Sequence, residues 1–298
     1  MDLYHYQTRA DSVKIYETFK EEMMRKTIYL ITVFVVTCVL LLGGCGAKKE
    51  VTTGAKASEI VNKATLNMQK IKTFKAKAFY SITSATQGAQ NMNYSFDIES
   101  DKTDPANITT KMSVKGTGNQ NFDMYITGGY AYMAVPGKGW YKSPVKQEQI
   151  EKQASPENIA RYTKGAEDMK IIKEDGISYT ISFTISRKFL EEQMKSQMGE
   201  ETQDSKEFKQ YMEQIFKGLK MSCIFTISKK NLLVEKANIQ MVMKDMPVIG
   251  DVNMTMNIEF SDFNKPLSIK LPDEAKTAQE TKELEGQIGI PGIPGFGF

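Results

Sequence analysis

Apolar and polar residues alternate along most of this chain with a period of two, and this alternation restricts the possible folds more than any other feature. The alternating segments are residues 74–82, 92–98, 108–114, 122–126, 130–135, 140–142, 169–173, 179–185, 221–227, 233–243, 252–260 and 267–271. Alternation of this kind is typical of antiparallel strands with one face toward a core and one toward water. The sequence therefore predicts an α+β fold with a large curved antiparallel sheet of about ten strands.

Helical segments precede and interrupt the strands, and we expect them to cover the apolar face of the sheet. The leading amphipathic helix is predicted to begin after Ser58 as its N-cap. Its apolar stripe consists of Ile60, Val61, Ala64, Met68 and Ile71, which recur at intervals of three to four residues. Inserted helices are predicted within residues 143–166, 186–198 and 208–216.

One apolar segment, Thr27 to Leu42, stands apart from this pattern and follows Arg25 and Lys26 directly. A basic start, an apolar core and small residues at its end predict a secretory signal peptide. The core is shorter than the roughly 20 residues that comfortably span a bilayer, although a short membrane anchor is the alternative.

The end of that segment, Leu42-Gly43-Gly44-Cys45, resembles the lipobox of bacterial lipoproteins. The resemblance implies cleavage between Gly44 and Cys45 and acylation of Cys45, for example with palmitate. Two or three acyl chains hold a protein at a membrane far better than one. We therefore expect a lipoprotein on the extracytoplasmic face of the cell membrane, attached through the lipid on Cys45.

These features divide the chain into five parts. Met23 and Met24 directly precede the basic residues of the signal peptide, so we expect translation to begin at one of them. The predicted parts are a doubtful extension (1–22), a signal peptide (23–44), a flexible tether (45–57), the sheet domain (58–272) and a Gly/Pro-rich tail expected to be disordered (273–298).

Composition excludes several classes of function. The single histidine, His5, precedes the cleavage site, so the mature chain has no histidine for a catalytic triad or a metal site. Cys38 leaves with the signal peptide and Cys45 is acylated, so Cys223 has no partner for an intramolecular disulfide. It falls on the apolar phase of a strand, and we expect it to be buried and unreactive.

The charged residues point to a solvated surface. The net charge is only +3, and lysines alternate with acidic residues, so no nucleic-acid-binding patch is predicted. The carboxylate pairs Asp101/Asp104 and Glu148/Glu151 fall in a turn and on a helix surface. We expect a protein that is not an enzyme, with no catalytic residue, cofactor or metal.

The layout of lipobox, tether, amphipathic helix and strand meander with inserted helices resembles the LolA-like lipoprotein-carrier superfamily, including its LppX-type members. The local match is GYAYM at 129–133 with GKGWYK at 137–142, similar to small membrane-anchored members of unassigned function. The resemblance implies an antiparallel half-barrel wrapped around helices. It also implies an apolar space between the two that can hold acyl chains.

Methionine is abundant, with 18 residues, and most lie on the apolar phase of predicted strands or helices. Methionine fills irregular cores, but it also adapts to ligands of variable shape. The predicted groove lining is Tyr80, Phe96, Met112, Met124, Tyr132 and Trp140. Trp140 has the alternative role of anchoring its hairpin. The hypotheses are an apolar-ligand or lipid-binding lipoprotein, an envelope sensor or partner-binding lipoprotein that carries no ligand, and an enzyme.

Overall fold

The computed structural model describes residues 52–84, 91–117, 120–135, 137–145, 165–197, 213, 215–246 and 250–281. The signal peptide, Cys45 and the last 17 residues, 282–298, lie outside the described residues. So do most of the predicted helical segments 143–166 and 208–216. The lipobox therefore stays a prediction.

The leading helix, α1, spans Thr52–Met68 and begins six residues before the expected N-cap at Ser58. Its buried side chains are Ala57, Ile60, Val61, Ala64 and Thr65. Ile60, Val61 and Ala64 of the predicted stripe are thus buried, whereas Met68 is half-buried and Ile71 lies beyond the end of the helix. The first turn contacts the sheet. A Cβ atom added at Gly54 would lie 3.5 Å from the carbonyl oxygen of Met169, which is ordinary van der Waals contact.

Ionic contacts tie this first turn to the strands beneath it. Lys56 Nζ and Lys229 Nζ lie 3.1 Å and 2.9 Å from the two carboxylate oxygens of Glu174. Both ammonium groups also lie over the ring of Tyr179, at 5.5 Å and 4.7 Å from its centroid. The hydrogen bonds from the two lysines hold the pKa of Glu174 below its usual value. The helix nearest to the predicted tether is thus fixed against the edge of the sheet.

The strands form one sheet of twelve members. They are β1 (Thr73–Ser84), β2 (Met92–Asp101), β3 (Thr109–Gly116), β4 (Gln120–Thr127), β5 (Tyr130–Val135), β6 (Gly139–Pro144), β7 (Ala166–Glu174), β8 (Ser178–Ile185), β9 (Leu219–Ser228), β10 (Val234–Met246), β11 (Gly250–Ser261) and β12 (Gln279–Glu280). A second helix, α2, spans Arg187–Gln197 between β8 and β9. The predicted large antiparallel sheet is confirmed.

The strand order is β12-β6-β5-β4-β3-β2-β1-β11-β10-β9-β8-β7. Two meanders, β1–β6 and β7–β11, meet where β1 pairs with β11, so the first and last long strands lie at the centre of the sheet. All neighbours are antiparallel except β12 and β6, which are parallel. Within the described residues the two end strands, β12 and β7, do not pair with each other, and the sheet is open.

One face of the sheet, here called the inner face, carries the core. Residues directly opposite each other share a face, and Phe96, Ala78, Ile258 and Ala237 form such a row across β2, β1, β11 and β10. The helices contribute Val61, Phe189, Leu190, Ile215 and Phe216 to the same cluster. Seven methionines are buried in it, namely Met112, Met124, Met221, Met241, Met243, Met254 and Met256.

Two details depart from the expected alternation. Glu235 interrupts the apolar phase because the β9–β10 register shifts between Val234 and Lys236, which leaves Glu235 exposed in a bulge. The strand predicted over residues 267–271 does not form. Both edges of β11 are already occupied by β1 and β10, and prolines at 266 and 272 flank the segment. The twelfth strand is instead the short Gln279–Glu280, which lies in the segment assigned to the tail.

Gly218, directly before β9, lies closest to another backbone segment among the described glycines. A Cβ atom there would lie 2.3 Å from the carbonyl oxygen and 2.8 Å from the amide nitrogen of Lys244. We expect Gly218→Ala to lower the free energy of unfolding by about 1–3 kcal/mol, because two backbones must move apart. The measurement is urea unfolding followed by far-UV circular dichroism.

The matched control is Gly176→Ala in the turn between β7 and β8. Gly176 has no heavy atom within 4 Å of an added Cβ and no positive φ. Alanine there reduces the freedom of the unfolded chain, so we expect an unchanged or slightly raised stability. A Gly218→Ala protein as stable as the Gly176→Ala protein would contradict the close packing of β9 on β10.

Candidate functional site

Four of the predicted groove residues lie together on the inner face. Tyr80 is on β1, Phe96 on β2, Met112 on β3 and Met124 on β4, and Met112 and Met124 are directly opposite each other. Tyr80, Met112 and Met124 are buried, whereas Phe96 is half-buried. The structure therefore brings these four side chains to one apolar surface.

Tyr132 and Trp140 lie on the opposite, outer face, so their assignment to the groove is wrong. Tyr132 on β5 pairs with Tyr125 and Lys142, and Trp140 on β6 pairs with Ala134. The segment YAYMAV of β5 is apolar at every position, so its alternation cannot tell the inner phase from the outer one. The register places Ala131 and Met133 on the inner face instead.

Tyr132 and Trp140 belong to an outer aromatic cluster that consists of Tyr125, Tyr130, Tyr132, Trp140, Lys111 and Lys142. The rings of Tyr125 and Trp140 are 5.8 Å apart, and those of Tyr130 and Tyr132 are 6.2 Å apart. Lys111 and Lys142 place their ammonium groups 5.9 Å and 4.9 Å from the rings of Tyr125 and Tyr130. Trp140 and Lys111 cover Tyr125 so well that it is only 5% exposed. The hairpin-anchoring role expected as an alternative for Trp140 fits this packing.

The inner face is not covered evenly. On β8–β11 its side chains are buried beneath α1 and α2, and Ile181, Phe225, Met241 and Ile258 are each at most 5% exposed. On β2–β6 the inner face stays apolar, but many side chains are only half-buried. These are Met92, Phe96, Ile98, Phe122, Ile126, Met133 and Tyr141. As far as the described residues go, the inner face is therefore least covered on its β2–β6 half.

The buried half is tightly packed. Between Met221, Met241, Met254, Met256 and their neighbours Tyr80, Ile239 and Thr255 there is a cavity of about 10 Å³. Such a volume holds one water molecule at most. Sequence reasoning did not single out these four methionines, although their alternating positions on β9, β10 and β11 were the available signal. At this cavity, a ligand larger than water enters when the methionine side chains move aside.

The groups considered for catalysis have structural roles. The Asp101 and Asp104 carboxylates accept hydrogen bonds from the backbone amides of Thr103 and Ala106, at 2.8 Å and 3.0 Å, and so stabilise a turn. Burial raises the pKa of the Cys223 thiol to about 12, so it is not ionised at neutral pH. Glu148 and Glu151 lie outside the described residues.

Within the described ranges, histidine, cysteine, aspartate and glutamate side chains form no group of three or more that could hold a metal ion. Across the same ranges, no helix combines the length and the hydropathy needed to cross a membrane.

Comparison with known proteins gives one family match. The model of DUF6612, described as a family of unknown function, matches residues 56–280, which include α1 from its fifth residue onward and all twelve strands. No curated protein matches the chain.

Solved structures with a similar arrangement include LolA superfamily protein NE2245 from Nitrosomonas europaea, at 11% identity over 75% of this chain and 96% of that one, with a TM-score of 0.25. A putative outer membrane lipoprotein-sorting protein domain from Vibrio parahaemolyticus has 9% identity over 72% and 95%, with a TM-score of 0.24. The MucA/MucB complex of Pseudomonas aeruginosa has 8% identity over 74% and 62%, with a TM-score of 0.34.

Proposed function

The chain belongs to DUF6612, a family of unknown function, and we propose that it is a non-enzymatic, lipid-anchored protein of the cell envelope. In this proposal it binds the acyl chains of a lipid, or another apolar ligand, against the inner face of its sheet. The observation that carries the proposal is the uneven cover of that face. Its β2–β6 half presents Phe96, Ile98, Phe122 and Met133 half-buried and continuous with the core.

The methionines suit such a ligand. An unbranched, flexible thioether side chain adapts to ligands of variable shape at small cost. Met112 and Met124 on the β2–β6 half adjoin this half-buried surface, and the methionines around the small central cavity continue it toward β9. Acyl chains seated on β2–β6 extend toward the centre of the sheet as these side chains change rotamer.

The lipid anchor proposed at Cys45 supports the same function. It keeps the domain beside the membrane, where lipids are the most abundant apolar molecules. Residues 52–57 of the predicted tether are part of α1, and the contacts of Lys56 and Lys229 with Glu174 hold α1 against the sheet. Only residues 45–51 then separate the proposed lipid from α1, so we expect the sheet to lie close to the bilayer.

A matched pair of phenylalanines tests the proposal. Phe96 lies on the inner face of β2, and Phe79 lies next to it on the outer face of β1, where it is 46% exposed. Burying a phenylalanine contributes about 1.5–3 kcal/mol, so Phe96→Ala is expected to weaken binding of an apolar probe about 10- to 100-fold. Phe79→Ala is expected to leave it unchanged.

The measurement uses the mature chain carrying Cys45→Ser, which needs no detergent. Native mass spectrometry detects any lipid carried from the cell, and the fluorescence of cis-parinaric acid methyl ester reports binding. Circular dichroism verifies that both variants fold. A wild-type chain that is empty as purified and does not bind the ester would overturn the proposal.

The outer aromatic cluster favours a second candidate, an envelope sensor or partner-binding lipoprotein with no carried ligand. Tyrosine and tryptophan are enriched in protein interfaces, and Tyr130, Tyr132 and Trp140 are partly exposed on the outer face. A partner protein cross-linked to this chain in intact membranes, together with no ligand on the inner face of the sheet, would support this candidate. A cross-linked partner that is lost in Trp140→Ala, while Phe79→Ala retains it, would separate this candidate from the first.

A further inference from the structure

Lys102 lies on the inner face at one end of the sheet. It directly follows the last residue of β2 and stands two residues after Ser100. Ser100 pairs with Phe74 of β1 on the inner face, and residues two apart along a strand share a face. Its Nζ atom lies 5.6 Å from the centroid of the Phe74 ring, and its backbone amide donates a 2.7 Å hydrogen bond to the carbonyl oxygen of Lys72. The backbone is thus held, and the ammonium group points over the apolar face.

The surroundings of this ammonium group are aromatic. Phe74 meets Phe260 edge-on at 6.1 Å, and Phe260 stacks on Phe263 at 6.4 Å. The three rings are half-buried and form the end of the inner face beside Lys102. A cation over aromatic rings is attracted by the ring faces, but it has lost part of its hydration.

No carboxylate of the described residues forms an ion pair with Lys102. Asp101 and Asp104 accept backbone hydrogen bonds within their own turn. Asp262 pairs with Lys265, at 2.6 Å, and Glu99 pairs with Lys75 on the outer face, at 3.0 Å. Burial accordingly lowers the pKa of Lys102. A partly desolvated cation without a counter-charge is costly, and an anion placed beside it offsets that cost.

We propose that Lys102 binds the anionic head of an amphiphilic ligand, a carboxylate or a phosphate, while the apolar chain of that ligand lies along the half-buried inner face of β2, past Ile98 and Phe96. The proposal rests on the proposed function and adds the chemical class of the ligand. Ile98 and Met92 are six residues apart on β2, about 20 Å along a strand. This length exceeds the ~15 Å of hydrocarbon in one bilayer leaflet, so β2 is long enough for one acyl chain.

The test compares cis-parinaric acid with its methyl ester at neutral pH, on the mature chain carrying Cys45→Ser. The two probes share one chain and differ in the charge of the head. Wild type is expected to bind the acid about tenfold or more tightly than the ester. Lys102→Met keeps the apolar stem and removes the charge, and it is expected to reduce acid binding to the level of ester binding.

Two controls accompany this comparison. Lys102→Arg keeps the charge and is expected to retain the preference for the acid. Lys77→Met removes an exposed lysine from the outer face of β1 and is expected to behave as wild type. Displacement of the probe by hexadecyl phosphate and by hexadecanoate then identifies the anion, since the better competitor carries the preferred head.

The outcomes separate the two proposals. Equal binding of acid and ester by wild type, or an acid preference that persists in Lys102→Met, overturns the role of Lys102 and leaves the proposed function standing. If a folded Lys102→Met protein binds neither probe, Lys102 is a packing residue, and its proposed role in binding the anionic head is overturned. If wild type binds neither probe, the proposed function fails, and the role of Lys102 fails with it.

Discussion

Ile227→Ala is expected to lower the free energy of unfolding by about 2–5 kcal/mol. Ile227 lies on the inner face of β9, opposite Tyr179 and Val234, and it is fully buried. Alanine removes three carbon atoms and leaves a cavity that a sheet strand with partners on both edges closes only in part. The melting temperature of a domain of this size falls by about 2–4 °C for each kcal/mol lost. Urea unfolding followed by far-UV circular dichroism measures the change.

Ile224 provides the control, because it is the same residue type on the same strand. It lies on the outer face, opposite Ser182 and Asn238, and is 36% exposed. Ile224→Ala is expected to cost less than about 1 kcal/mol, since little apolar surface is lost and no cavity forms. Equal losses of unfolding free energy in the two variants would contradict the register, which places Ile227 on the inner face of β9 and Ile224 on the outer face.

The faces of most strands could be predicted from the sequence because polar neighbours mark the outer phase. On β11, Met254, Met256 and Ile258 alternate with Thr255 and Asn257, and only one assignment of faces buries apolar residues. On β5 that marker is missing, since tyrosines occupy one phase and alanine and methionine the other. The face on which Tyr132 lies is set by the register between β4 and β5. That register depends on both strands, so it could not be read from the β5 segment alone.

Other features depend on contacts that are distant in the sequence. The N-terminal part of α1 contacts the sheet through Gly54 and Met169 and through Lys56 and Glu174, and the last two residues are 118 positions apart. Lys102 resembled an ordinary surface lysine, because the period-two pattern ends at Ile98, four residues before it. Its place on the inner face became visible only when the β1–β2 register put Phe74 beside Ser100.

Cys45→Ala is expected to abolish incorporation of labelled palmitate and to prevent the chain from being held at the membrane as a processed lipoprotein. The sequence Leu42-Gly43-Gly44-Cys45 resembles a lipobox, in which the cysteine sulfur and the freed amine carry the acyl chains. Each buried methylene contributes about 0.8 kcal/mol, so two chains anchor a protein stably where one does not. Radiolabelled palmitate measures acylation, membrane fractionation measures location, and the mass of the chain shows whether residues 1–44 have been removed.

The other cysteines provide the controls. Cys38 lies within the apolar segment that precedes the cleavage site, and Cys223 is buried on β9. If the lipid is attached at Cys45, Cys38→Ala and Cys223→Ala keep the label and the mass of the processed chain, and only Cys45→Ala loses both. An uncleaved Cys45→Ala precursor, longer by residues 1–44, would still sediment with membranes through its apolar segment, but it would carry no label. Palmitate on the Cys45→Ala protein would instead place the acylation elsewhere and remove the basis for a lipid-anchored sheet.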